Sequence, residues 1–228
     1  MAQLTYLGHS AFLLEGNGDV IVIDPFLAGN PLATLKPEEV QCNYVIITHG
    51  HGDHIGDALA IARQNNATVI SNYEIATWCS KQGAEVHAMH IGGSCNFSFG
   101  SVKLTIAHHG SGLDSPEGMI YMGNPTGALI TIEEKTVFHS GDTGLFYDMK
   151  LIGEMNAIEV ALLPIGDNFT MGVDDAVKAV EFLRPKLAIP MHFNTFEVIQ
   201  SNPEEFVRKV NAIGKEARVL AINEALEF

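Results

Sequence analysis

The sequence predicts an α/β protein, a four-layer α/β/β/α sandwich formed by a single domain over residues 1–228. Three observations carry this. The first third reads as antiparallel strands followed by alternating strand and helix. Residues 85–140 read as a run of short strands, and the last third returns to strand, helix, strand, helix. Two mixed halves, each offering a sheet with helices, bury their apolar faces most simply by stacking sheet on sheet with helices outside.

Taken in order, LTYL and AFLLE alternate apolar with small or polar residues, GNGD turns the chain, and VIVID resumes as a short apolar strand, which is antiparallel β structure. YVIITH is a buried strand ending where a group of histidines begins. DALAIARQ carries apolar residues at helical spacing, TVIS is strand-like, and YEIATWCSKQG is a helix stopped by Gly83. From Glu85 to Ser140, EVHAMHI, CNFSFG, SVKLTIAHH, MIYMG, GALITI and TVFHS are short strands separated by Gly, Asn-Pro and Ser-Pro turns. EVALLPI then reads as a strand, VDDAVKAVEFLRP as a helix, LAIPMH as a strand, PEEFVRKVNAIG as a helix and RVLAI as a strand. Asp174 and Asp175 fall in the first turn of their helix, where the macrodipole favours anions, and Pro185 marks its end. The stripes containing Trp78 and Phe182 are core material.

Composition narrows the function. A chain of 228 residues can bury about three quarters of its unfolded surface around one core. With 13 Lys and Arg against 27 Asp and Glu, the net charge of −14 lacks the basic footprint of a nucleic-acid partner. The N-terminus MAQLTYLGHSAFLLEG has no charged n-region, and no apolar run approaches the roughly 20 residues of a membrane span. Cys42, Cys79 and Cys95 are odd in number and lack CxxC spacing, which argues against a disulfide framework or an all-cysteine zinc site. These features predict a reduced, cytoplasmic protein without a membrane or nucleic-acid partner.

The chemistry concentrates at THGHGDH, residues 48–54. A strand, a glycine-rich loop and a helix in succession bring His49, His51, Asp53 and His54 to the rim of a sheet. Imidazole and carboxylate ligate zinc and other first-row divalent ions, and glycines at 50 and 52 let the backbone turn tightly enough for neighbours to converge. With ten His and ten Asp in the chain, a chance HxHxDH is expected roughly once per thousand such sequences. One ion cannot easily use all four side chains, whereas two adjacent ions can. The competing reading is a loop of solvated histidines.

HGHGDH after a buried strand resembles the signature of the metallo-β-lactamase fold superfamily. The resemblance implies an αββα metallo-β-lactamase sandwich with one or two metal ions between the sheet edges and further ligands downstream: His109 in AHHGSG, Asp142 in SGDTG and His192 in IPMHF, each following a strand. On the family's pattern, His49, His51 and His109 hold the first ion, Asp53, His54 and His192 the second, and Asp142 bridges them. GHSAFL, IDPF, GDTGLFYDM, PIGDNFTMGVDDA and IPMHFNTF extend the likeness over nearly the whole chain. They resemble the bacterial and archaeal family of uncharacterised metal-dependent hydrolases related to ascorbate 6-phosphate lactonase.

Asp24 in IDPF matches the superfamily's first acidic motif and is expected to orient the metal loop, with a turn-capping Asp before Pro25 as the alternative. His9 in GHSAF either faces the site from the first hairpin or is a satisfied core histidine. His109, two before Ser111, occupies the family's ligand position, which leaves His108 as a neighbouring contact or a structural residue. Asn168 and Thr170 in GDNFTMG, and Asn194 after His192, either contact substrate or cap their loops. His87, His90 and His139 have no motif partners.

These assignments imply a hydrolase that uses a metal-bound hydroxide at a dinuclear site on an ester, lactone or related bond of a small-molecule substrate, with Asp53 orienting the water as well as ligating. The ions expected are zinc or manganese, with iron or nickel compatible with an N/O donor set. The alternatives are a phosphodiesterase or nuclease of the same superfamily, and a non-catalytic metal-binding protein. No cysteine falls in a metal slot, which disfavours β-lactam hydrolysis, and His51 stands where the related di-iron oxidoreductases carry glutamate. The lactonase relatives assemble, so the likeness also implies a homo-oligomer.

Overall fold

The computed structural model describes residues 1–228. The first half comprises β1 (Gln3–Gly8), β2 (Ala11–Gly16), β3 (Asp19–Ile23), β4 (Tyr44–Ile46), α1 (Gly52–Ile55), α2 (Ala58–Asn65), β5 (Thr68–Asn72), α3 (Tyr73–Lys81) and β6 (Val86–Met89). The second comprises β7 (Ser94–Phe97), β8 (Gly100–Ile106), β9 (Gly112–Leu113), β10 (Ile120–Tyr121), β11 (Thr126–Ile132), β12 (Lys135–His139), α4 (Met149–Met155), β13 (Ile158–Pro164), α5 (Val173–Leu183), β14 (Leu187–Met191), α6 (Pro203–Ala212) and β15 (Ala225–Glu227).

Two sheets form the middle layers. One has strand order β15-β1-β2-β3-β4-β5-β6, antiparallel up to β3 and parallel beyond it. The other runs β14-β13-β12-β11-β8-β7, with β12, β13 and β14 parallel. Side-chain alternation along each strand produces the layering. Ile21 and Ile23 enter the cluster between the sheets while Val22 packs under α2 and α3; Ile46 goes inward and Val45 and Ile47 outward. In the second sheet Ala128, Ile130, Val160 and Leu162 face the first sheet, whereas Leu129, Ala161 and Leu163 meet α4, α5 and α6. The αββα expectation therefore holds.

Four local expectations change. RVLAI is not a strand: Ala217 makes one parallel bridge to Ala188, Arg218 donates its amide to Ala188 O at 3.0 Å, and the chain then crosses to the other sheet. There Asn223 N–H donates to Tyr6 O and β15 pairs with β1, so the apolar character of RVLAI records burial of Leu220 between the sheets. The helix α4 was missed because MKLIGEM is short and contains Gly153, a poor helix former. That glycine lets α4 meet the end of α5, since a Cβ there would lie 2.4 Å from Leu183 O. MIYMG contributes only β10, in a small hairpin with β9, and the one-turn helix α1 begins inside the histidine motif.

Candidate metal centre

The histidine motif occupies the link from β4 to α1. Gly50 is required there, because a Cβ would stand 2.4 Å from Met122 Cβ, and its amide is held by Ser111 Oγ at 3.0 Å. α1 then lifts Asp53 and His54 to the same rim, reached from the other sheet by segments after β8, β12 and β14. Three imidazole nitrogens converge first: His49 Nε2 lies 3.1 Å from His51 Nδ1, and His109 Nε2 3.2 Å from that same atom. Asp53, His54 and His192 form a second group, joined by His9. Asp142 stands between them. Its Oδ1 is 3.2 Å from His54 Nε2, and its Oδ2 is 3.0, 3.6 and 4.0 Å from the Nε2 atoms of His192, His109 and His49.

Asp24 is fully buried and spends its carboxylate on this arrangement. Oδ1 accepts Thr48 N–H at 2.8 Å; Oδ2 accepts the Thr48 hydroxyl at 2.6 Å and His54 Nδ1–H at 2.7 Å. The latter bond keeps a proton on Nδ1, so Nε2, which faces Asp142, is the nitrogen available to a metal. Because the Thr48 proton is given to Asp24, Thr48 Oγ1 accepts from His49 Nδ1–H at 3.0 Å, which frees His49 Nε2 likewise. One carboxylate thus orients a histidine of each group. Thr48 was not singled out in the sequence, although it heads the motif; a hydroxyl beside a candidate ligand histidine was its available signal.

His9 is buried at the β1–β2 turn. Its Nε2 donates to Asp53 Oδ2 at 3.1 Å, its Nδ1 accepts the Thr195 hydroxyl at 2.9 Å, and its carbonyl accepts His192 N–H at 2.8 Å. Its φ of 57°, with 43° at Asp24 and 54° at His192, places three site residues in the left-handed region, strain that surrounding contacts must maintain. Asn194 Oδ1 accepts Ser201 N–H and caps its own loop. Asn168 is exposed beside Phe169, Thr170 lies near the Met171 carbonyl, and His108 stacks on Phe146 at 4.6 Å, turned from the nitrogen cluster that His109 joins. His139 is buried, bonded to Ser10 O and accepting Gly141 N–H.

Electrostatics separates the residues. Burial alone pushes the carboxyls of Asp142 and Asp53 up, but neighbouring histidines overcome it and hold both well below the usual range. Burial opposes charge on His192 and His54, yet Asp142, with Asp24 beside His54, raises them, His192 to about 9. Burial dominates at His49, His109 and His9, lowering each, His9 to about 4.

The donor set fits divalent metal. His54 Nε2, Asp142 Oδ1 and both nitrogens of His192 are buried without a hydrogen-bond partner. Such orphans cost about 1–3 kcal/mol each, a cost that coordination would remove at His54 Nε2, Asp142 Oδ1 and one nitrogen of His192. Nitrogens in a tetrahedral zinc set with bonds of about 2.0–2.1 Å stand about 3.3 Å apart, close to the spacings in the first group. Asp24, already satisfied, is not a ligand candidate despite its proximity to His49 and His54. A cavity of about 340 Å³ opens onto His51, Asp53, His109, Asp142 and His192.

A profile of the β-lactamase superfamily domain matches residues 3–192. The chain is 55% identical to a UPF0173 metal-dependent hydrolase of Pelotomaculum thermopropionicum, over 99% of this chain and all of that protein. It is 53% identical to one of Anoxybacillus flavithermus at the same coverage. Among solved structures, Igni18, a metallo hydrolase of the archaeon Ignicoccus hospitalis, superposes with a TM-score of 0.91 at 40% identity, covering 100% of this chain and 99% of that one. With fold, donor set and relatives in agreement, the chain belongs to the UPF0173 metal-dependent hydrolase family of the metallo-β-lactamase superfamily.

Proposed function

We propose that this metal-dependent hydrolase, acting as one domain over residues 1–228, carries a dinuclear site and cleaves an ester, lactone or related bond in a small molecule. The observation that carries the reading is Asp142, whose carboxylate lies within 4.0 Å of nitrogens from both groups of histidines. His49, His51 and His109 would hold one ion, and Asp53, His54 and His192 the other, with Asp142 shared. Bound there, two zinc or manganese ions would supply a hydroxide nucleophile from water near neutral pH and polarise the scissile carbonyl.

The protein's own part is orientation. Asp24 and Thr48 present the lone pairs of His54 and His49 toward the site. Asp53 is the part-exposed carboxylate facing the cavity; His9 engages its Oδ2, leaving Oδ1 to orient the attacking water and take its proton. The cavity suits a small substrate. No helix is long and apolar enough to cross a membrane, and the three free thiols suit the reducing cytoplasm.

The test is turnover by protein stripped of metal and reloaded with Zn²⁺ or Mn²⁺, offered p-nitrophenyl carboxyl esters and lactones beside bis-p-nitrophenyl phosphate. Metal-dependent ester or lactone cleavage, abolished by His51→Ala, supports the reading. Cleavage of the phosphodiester alone replaces it with phosphodiesterase activity, and no turnover with two ions bound replaces it with a binding role.

A further inference from the structure

The cavity has a floor and a rim of different character. The floor is the donor set. The rim comes from the β9–β10 hairpin and the loop after β13: Asp114 and Met119 on the former, Phe169 on the latter, with Tyr121 on the adjoining groove. Met119, Tyr121 and Phe169 are 66, 69 and 57% exposed, so large apolar surfaces stand in water around the mouth. The hairpin is bolted to the histidine loop, since Ser111 Oγ accepts Gly50 N–H and donates to Met122 O. The rim therefore has a defined position over the floor.

Beyond the donor set, the one charged residue lining the cavity and its adjoining groove is Asp114; no lysine or arginine lines either. A phosphate or carboxylate remote from the reacting bond would find no guanidinium or ammonium partner, which such groups ordinarily have in a specific site. It would instead meet a carboxylate. The floor would behave oppositely, since two divalent ions against the carboxylates of Asp53 and Asp142 and one hydroxide would leave about one positive charge there. The cavity is polarised, positive at the base and negative at the lip.

Resting on the dinuclear hydrolase reading, we infer that the substrate is a small ester or lactone whose tail, directed at the rim, is apolar and neutral or cationic, and that Asp114 selects against tails bearing phosphate or carboxylate. The carbonyl end turns to the floor, and the tail packs against Met119 and Phe169.

Three p-nitrophenyl esters built on one butyryl chain test this: butyrate, 4-trimethylammoniobutyrate and the glutarate half-ester, in which the chain ends in a carboxylate. The expected kcat/KM is at least about tenfold higher for the cationic than the anionic ester, a difference of about 1.4 kcal/mol. Asp114→Lys should invert that ratio, which cancels any effect common to both esters. Raising ionic strength to about 1 M, where screening acts within about 3 Å, should shrink it. Lengthening the neutral acyl chain should lower KM. A ratio near one, preference for the anionic ester, a ratio unmoved by Asp114→Lys or by salt, or a KM indifferent to chain length would overturn the inference with the hydrolase reading intact. If none of the esters turns over, calorimetry with the matching carboxamides decides: tighter binding of the cationic amide supports the inference while the reaction is lost, and tighter binding of the anionic one, or of none, overturns it.

Discussion

Replacing Asp24 by asparagine changes one atom in a fully buried carboxylate, and the hydrogen bonds around that atom determine the outcome. The Asn Oδ1 can still accept Thr48 N–H, but its amide nitrogen faces the two groups that donate to Asp24 Oδ2, the Thr48 hydroxyl and His54 Nδ1–H. Two donors cannot share a bond, so His54 must move its proton to Nε2, where the proposed second ion would need a lone pair. The Thr48 hydroxyl turns away as well, and His49 loses its acceptor. Partners of this kind are worth about 10- to 100-fold in metal affinity, or about 1.4–2.7 kcal/mol. Chelator competition on the folded variant should find the affinity weakened by that factor. Asp57 provides the control: its Oδ2 accepts Leu27 and Ala28 amides, yet it touches no ligand. Asp57→Asn, whose Oδ1 can accept the same two amides, should lower stability by only about 1 kcal/mol through the lost charge while keeping metal affinity. Wild-type affinity for both ions in folded Asp24→Asn would refute the orientation argument.

Other consequences concern the neighbours. His9→Ala should lower kcat about 10- to 100-fold with KM and metal content held, because it frees Asp53 without removing a ligand; His9→Gln, whose side-chain amide can donate to Asp53, should recover part of the loss. Loss of an ion from His9→Ala would instead make His9 a ligand. In metal-free protein, the folded His192 sits near pKa 9 against 6.5 unfolded, so it contributes stability that is full below pH 6.5 and lost as pH rises through 9. The shift corresponds to about 3 kcal/mol. Denaturant unfolding of stripped protein at pH 6.5 and 9.5 should show that loss, and His192→Gln should remove most of it; equal pH dependence in the two would contradict the assignment. His9 acts in the opposite window: lowered to about 4, it costs stability as pH falls below 6.5, and His9→Gln should make that limb shallower, leaving the share of His49 and His109.

Much of the frame was legible because it derives from local pattern. Period-two alternation in VIVID and GALITI maps onto opposite sheet faces, and α5 and α6 carry stripes long enough to recognise. Histidines and aspartates beside glycine, each at the end of a strand, were equally legible, since few other roles gather them. What escaped depends on partners far along the chain. RVLAI is apolar because the crossing segment is buried between sheets, and α4 tolerates Gly153 because α5 passes beside it. Thr48 and Thr195 are ordinary residues until Asp24 and His9 arrive from other strands. Of the adjacent His108 and His109, the position two before Ser111 already singles out His109; what the sequence hides is the stacking of His108 on Phe146.

In the proposed dinuclear site two ions would share Asp142. Metal content per chain, measured after dialysis for the wild-type protein and for Asp142→Ala confirmed as folded by circular dichroism, tests it most directly. Two ions in the wild type and one or none in the variant are predicted. A single ion in the wild type, or unchanged content in the variant, would contradict the dinuclear account.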